Sequence, residues 1–175
     1  MKKLDYFLLF AIGACGLLLI YPGNTVWLGD EARLTLLALE ANASGLPATH
    51  GLIGATGVTH GVPVVWLNQL LLLVGVNPVT SSALKAIFAM LLCCGALLQL
   101  SRTLHLPVGA GAAFWFCSPF IWFYLRLPGE NAWLLLLSLY SIVAFACFLR
   151  DGRIFPLIMA SLLFGLMFYL QAISI

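Results

Sequence analysis

Charge is scarce in this chain: eight basic and six acidic side chains are scattered over 175 residues. No continuous basic face exists to neutralise a row of phosphates, which excludes nucleic acid as a partner. The five cysteines, Cys15, Cys93, Cys94, Cys117 and Cys147, all lie in apolar stretches without CxxC or Cys/His ligand spacing. They read as small buried hydrophobes and report no redox compartment. His50 and His60 come without HxxxH or HExxH spacing, so no metal site is expected from them. Internal repeats and low-complexity segments are also missing.

Apolar residues are what the chain has in excess, 63% of the total, with a mean hydropathy of +1.08. A soluble fold this apolar lacks the polar surface to cover itself, whereas a bilayer asks for runs of roughly 20 apolar residues per helical crossing. Five segments are long enough: 4–21, 79–100, 106–125, 131–149 and 154–173. The expected fold is therefore all-α, a polytopic membrane helix bundle of about five transmembrane helices in a single membrane domain. The start, Met1-Lys2-Lys3 followed by an apolar run, has the look of a signal peptide, and Ile12-Gly13-Ala14-Cys15 weakly matches a lipoprotein cleavage box. The run continues through Leu17 to Ile20 and more membrane follows, which fits an uncleaved anchor.

Pro63 to Val76 is apolar but covers only 14 residues and contains Asn68 and Gln69. That suits an interfacial or re-entrant helix. Without a crossing there, Lys2, Lys3, Arg102, Arg150 and Arg153 fall on one side of the membrane and Arg33, Lys85 and Arg126 on the other, as the positive-inside rule requires. The N-terminus is then cytoplasmic, and residues 22–78 form an external loop, expected to face the periplasm of a bacterial inner (plasma) membrane. A loop of this length, rich in Leu, Val and Trp, is expected to be functional and ordered. Two juxtamembrane helices are expected in it: Asp30 to Ala43, with acids in its first turn and Gly45 beyond its end, and the Pro63 to Val76 stretch. Ala48 to Val62, punctuated by Gly51, Gly54, Gly57 and Gly61, is expected to be loop.

Most chemistry-bearing side chains map to that external face. Asp30 and Glu31 are adjacent carboxylates near the end of the first crossing, where partial desolvation and a helix N-terminus can tune an acid to orient or deprotonate a hydroxyl. The plainer reading is two helix-start acids favoured by the dipole, with Asp30 paired to Arg33. Glu130 sits in the turn Leu127-Pro128-Gly129-Glu130-Asn131, four residues after Arg126, as a site acid or as half of a solvated ion pair. Lys85 lies six residues inside a crossing and must snorkel outward or find an anion, for which a lipid phosphate would serve. His60 precedes Pro63 and shapes the turn there. Asn42-Ala43-Ser44 matches a glycosylation acceptor, a pattern too common to carry weight.

In order and spacing these features resemble the N-terminal part of the polyprenyl-phosphate-dependent membrane glycosyltransferases of the GT-C class, such as protein mannosyltransferases and aminoarabinose or lipopolysaccharide-core sugar transferases. The resemblance rests on Gly29-Asp30-Glu31-Ala32-Arg33, His60-Gly61-Val62-Pro63, Ala83-Leu84-Lys85 and Phe123-Tyr124-Leu125-Arg126 running into Gly129-Glu130-Asn131. It implies an external active site where a sugar leaves a lipid phosphate, with inversion, for an acceptor hydroxyl. Asp30, Glu31 and Glu130 are then the candidate catalytic carboxylates, and Lys85, Arg126, His60 and Arg33 the candidate substrate-binding groups. Glu130 stands where members often carry Asp, and Lys85 where many carry Arg, a change that removes bidentate phosphate geometry. The partners implied are a lipid-linked sugar donor and the membrane. No DxD signature of nucleotide-sugar transferases is present, and a divalent cation cofactor is left open. Members have more crossings than five, so the chain is expected to be the N-terminal portion of such an enzyme and inactive alone. The alternative is a non-catalytic membrane protein, such as a lipid-binding or transport subunit or a degenerate relative.

Overall fold

The computed structural model describes residues 6, 10–11, 13–17, 29–53, 59–60, 62–75, 77–107, 118, 121, 125 and 131–171, with backbone alone at 29–31, 59–60 and 171. The chain is mostly helical. Its elements are α1 (Gly29–Ser44), β1 (Leu52–Ile53), β2 (Thr59–His60), α2 (Val62–Gly75), α3 (Pro78–Leu104), α4 (Asn131–Asp151) and α5 (Ile154–Gln171). The expected segments 4–21 and 106–125 fall largely outside the described residues, as do Arg126 and Glu130.

Local chemistry explains the helix ends. At the end of α1, Gly45 adopts φ +70°, and its N–H bonds Asn42 O while that of Leu46 bonds Ala41 O. This pair of bonds is a Schellman motif, which satisfies two end carbonyls and favours glycine at the left-handed position. At the start of α3, Asn77 accepts a bond from Thr80 N at 2.9 Å, and Pro78, lacking an N–H, occupies the first turn.

Two expectations need correction. Residues 48–62 are not all loop: β1 and β2 form a short antiparallel ladder pairing Leu52 with His60 and Ile53 with Thr59. Apolar and β-branched residues at both strands favour pairing more than the surrounding glycines oppose it. The helix expected over 79–100 runs on as far as Leu104 and closes with a left-handed His105 at φ 54°. The Thr103 hydroxyl bonding back to Gln99 O and Arg102 in the last turn suit continued helix.

α3 has 27 residues and α4 has 21, and both are long and apolar enough to cross a membrane. At 1.5 Å per residue α3 spans about 40 Å, against a hydrocarbon thickness of about 30 Å. α2, with 14 residues, reaches only about 21 Å and falls short of crossing. It runs back along the first half of α3: Asn68, Leu71 and Leu72 share a cavity with Ser81, Ser82 and Lys85, while Pro63, Val64 and Leu67 share another with Leu92.

α3 and α4 run parallel, since Phe88 meets Trp133, Leu92 O accepts from Tyr140 Oη at 3.1 Å and Thr103 meets Cys147. Leu104 and Asn131 therefore lie at opposite ends of the pair, and Arg102 and Arg150 share one end. α5 returns antiparallel along α4, joined to it by Ser141 Oγ donating to Ala160 O at 3.1 Å. The core is built from Val64, Val65, Ala86, Ala89, Met90 and Cys93 on α2 and α3, extended by Leu34 and Ala38 of α1 and by Leu136 and Leu139 of α4. Leu162, Phe164 and Phe168 of α5 point outward.

Candidate functional site

Among the described residues, most of the polar side chains that the fold buries gather where α1, α2 and α3 meet, with Ser101 and Thr103 apart at the far end of α3. Thr35 of α1, Asn68 of α2, and Ser81, Ser82 and Lys85 of α3 line one cavity of about 10 Å³, room for a single water-sized group. Lys85 is only 1% exposed and is the largest of the fully buried side chains among the described residues. Snorkelling to solvent, one of the two options the sequence left for it, is thereby corrected: the ammonium ends inside the junction. The reason is the placement of α2 and α1 over this turn of α3, which closes the route outward.

Asn68 is 8% exposed, and its Nδ2 has no hydrogen-bond partner. A buried amide donor left unpaired costs about 1–3 kcal/mol. The only other such group among the described residues is Trp133 Nε1 on α4.

The neighbouring residue solves the same problem differently. Gln69, one position and about 100° further round α2, faces the end of α1. Its Oε1 accepts from Ala48 N at 3.0 Å, its Nε2 donates to Asn42 Oδ1 and Leu46 O, each at 3.2 Å, and Asn42 Nδ2 donates to Gln69 O at 3.1 Å. Trp66 Nε1 adds a bond to Ala48 O at 2.8 Å. Together these bonds fasten α2 to the C-terminal turn of α1 and to the segment after it.

At its other end α2 is held against α3. Ser81 Oγ donates to Leu71 O at 3.1 Å, and the backbone approach at Gly75 is so close that a Cβ there would meet Ser81 Oγ and lie 2.8 Å from Ser81 N. Only glycine fits.

The expected site residues are distributed as follows. Asp30 and Glu31 occupy the first turn of α1. Their side chains, like that of His60 in β2, are outside the described part. Arg33 is exposed and lines a different groove, of about 320 Å³, with Leu36, Glu40, His50 and Leu52. The fold thus sets Arg33 apart from the Lys85 cavity. β2 touches α5, so His60 is placed near the α5 side of α2. Among the described residues no three His, Cys, Asp or Glu side chains come together in a cluster that could hold a metal ion.

Sequence reasoning missed Thr35, Ser81 and Ser82, uncharged hydroxyls that are common in any helix. It noted Asn68 and Gln69 only as marks of an interfacial helix. The available signal was their adjacency: two amides on successive residues of an apolar helix cannot share one face, so at least one has to be accommodated inside.

A second cavity, about 240 Å³ and lined only by apolar surface, lies further along the contact of α2 with α3 from Lys85, among Val64, Leu67, Leu92, Leu136, Tyr140 and Leu166. α2 therefore lines a small polar chamber toward its end and a larger apolar one toward its start. Comparison of the chain with protein-family models, with curated proteins and with solved structures finds no match.

Proposed function

We propose that the chain is a GT-C type membrane glycosyltransferase, or the N-terminal portion of one, moving a sugar from a polyprenyl-phosphate donor to an acceptor hydroxyl on the extracytoplasmic side of a bacterial inner membrane. The observation that carries this reading is Lys85, a fully buried cation on a helix of crossing length. A charge in such a place is expensive and is kept for an ionic task by default. Five crossings are proposed: 4–21, α3, 106–125, α4 and α5. The outward-facing Leu162, Phe164 and Phe168 of α5 suit lipid contact, and the parallel course of α3 and α4 suits an intervening crossing.

The chemistry follows from charge development. As the bond between the sugar's anomeric carbon and the phosphate oxygen breaks, positive charge grows on the sugar and negative charge on the departing lipid phosphate. Lys85, with Arg126, would stabilise the phosphate. Asp30, beside Glu31 at the start of α1, would take the proton of the acceptor hydroxyl as its oxygen attacks the opposite face of the anomeric carbon, giving inversion. Glu130 and His60 complete the proposed set, while Arg33, which lines a separate groove, drops out of it. A preorganised cation in a water-poor chamber acts more strongly than the same group in solvent.

Asp30→Asn tests this reading in membranes supplied with a polyprenyl-phosphate sugar. Transfer should fall by about 10²–10⁴-fold with protein abundance unchanged; wild-type rates in the variant would overturn the assignment.

The cavity beside Lys85 holds only about 10 Å³, which favours a second reading: a non-catalytic membrane protein whose buried polar groups hold helices together. Under it, Asp30→Asn alters stability or assembly and no transfer is measured with the wild-type chain.

A further inference from the structure

We infer that Asn68 is the second donor of the phosphate site at Lys85, so that a short, non-crossing helix supplies part of the headgroup recognition. This rests on the lipid-phosphate reading given above. Lys85 and Asn68 come from different helices, are both more than nine-tenths buried, and line one cavity. The Asn68 amide nitrogen has no partner inside the protein, although Gln69 beside it satisfies its amide with three bonds. Helix packing therefore accounts for Gln69 and leaves Asn68 unexplained.

The chemistry of the lining fits an oxygen anion. An ammonium and an amide N–H both donate, and the hydroxyls of Thr35 and Ser82 can donate as well. Phosphate oxygens accept several bonds at once, and bonds to a charged acceptor are the strong ones. The cavity's size sets how the group is read: about 10 Å³ admits one oxygen. A single phosphoryl oxygen enters between Lys85 and Asn68, while the rest of the headgroup stays outside and the isoprenoid tail remains in lipid. Asn68 is a binding residue in this arrangement, and α2 is positioned by the Gln69 bonds and by the Gly75 contact to present it.

Titration of the full chain in lipid nanodiscs with a polyprenyl phosphate tests the inference. Asn68→Leu keeps the volume of the side chain but removes its donor; binding should weaken about tenfold or more while the melting temperature stays within a few degrees. Asn68→Asp, which places a carboxylate against the phosphate, should weaken it further, and it decides the matter if Asn68→Leu does not fold. Lys85→Met separates the two levels of the argument. Binding lost in Lys85→Met and retained in both Asn68 variants overturns the role of Asn68 and leaves the donor reading standing. Failure of the wild-type chain to bind polyprenyl phosphate overturns both. Inorganic phosphate identifies the source: competition that disappears with Asn68→Leu assigns the site to the phosphoryl group alone. Absence of competition, with lipid binding still sensitive to Asn68→Leu, assigns it to the lipid headgroup; each of these results supports Asn68 as the donor.

Discussion

The junction of α1, α2 and α3 and the pair α4 and α5 are built from the same apolar vocabulary but hold together differently. In the pair, large side chains such as Phe164 and Phe168 point outward, and a single hydroxyl, Ser141, reaches across to the Ala160 carbonyl among the described residues. In the junction, a glutamine, two asparagines, several hydroxyls and a lysine turn inward. Amides and charges cost free energy to bury unless they are bonded, so their concentration at one place marks where the chain needs geometry that apolar packing alone does not fix. The pair is scaffold; the junction is where a ligand would be read.

Substitutions can break that contrast. The largest effect on the fold is expected from Gly75→Ala, because the added Cβ meets Ser81 Oγ and backbone atoms at 2.8 and 2.9 Å. Backbone cannot yield as a side-chain tip does, so a loss of about 1–3 kcal/mol is expected, read as a lower unfolding midpoint in detergent. Gln69→Leu comes next. It strands Ala48 N and removes the donor to Asn42 Oδ1 and Leu46 O, at about 1–3 kcal/mol, and amide exchange at Ala48 should accelerate while exchange in α4 stays unchanged. Equal acceleration in both regions would erase the distinction.

Ser141→Ala should matter less, about 0.5–1.5 kcal/mol, because α4 and α5 retain their apolar contact without that bond. A larger loss than for Gln69→Leu would reverse the comparison. Smallest of all is the Arg150 and Asp151 pair at the C-terminal end of α4, bonded at 2.6 Å. The side-chain hydrogen bond from Arg150, and then the guanidinium charge, hold the Asp151 carboxyl below its ordinary value. A depressed carboxyl contributes its stability above the unfolded-state value and loses it as pH falls through the folded one. Since both groups are solvent-exposed the contribution is slight. In an NMR titration Arg150→Gln should return Asp151 to the ordinary aspartate range, and an unchanged midpoint would contradict the assigned cause.

Much of the architecture was legible because its signals are local. Gly45 stopped α1, the apolar run of α2 ended near Gly75, and the length of that run distinguished it from a crossing. The ladder of β1 and β2 was not legible: four residues pairing across a glycine-rich stretch leave no periodicity to read. The site was legible in part. Lys85 drew attention as a lone charge in an apolar segment, but its burial depends on two helices that reach it from 14 and 50 residues upstream, at Leu71 and Thr35. No pattern around residue 85 encodes them. Asn68 illustrates the same limit, since an amide's sequence does not say whether its partners are present, and here Nδ2 has none.

An external site requires the junction and the arginine end to lie on opposite sides of a membrane. Single cysteines placed at Thr49 and Gly152 and exposed to an impermeant maleimide in intact cells test this directly, read against the labelling of the native chain. Labelling at Thr49 with protection at Gly152 is the expected result. Labelling at both positions, or at Gly152 alone, would contradict it and remove the external site on which the proposed transfer depends.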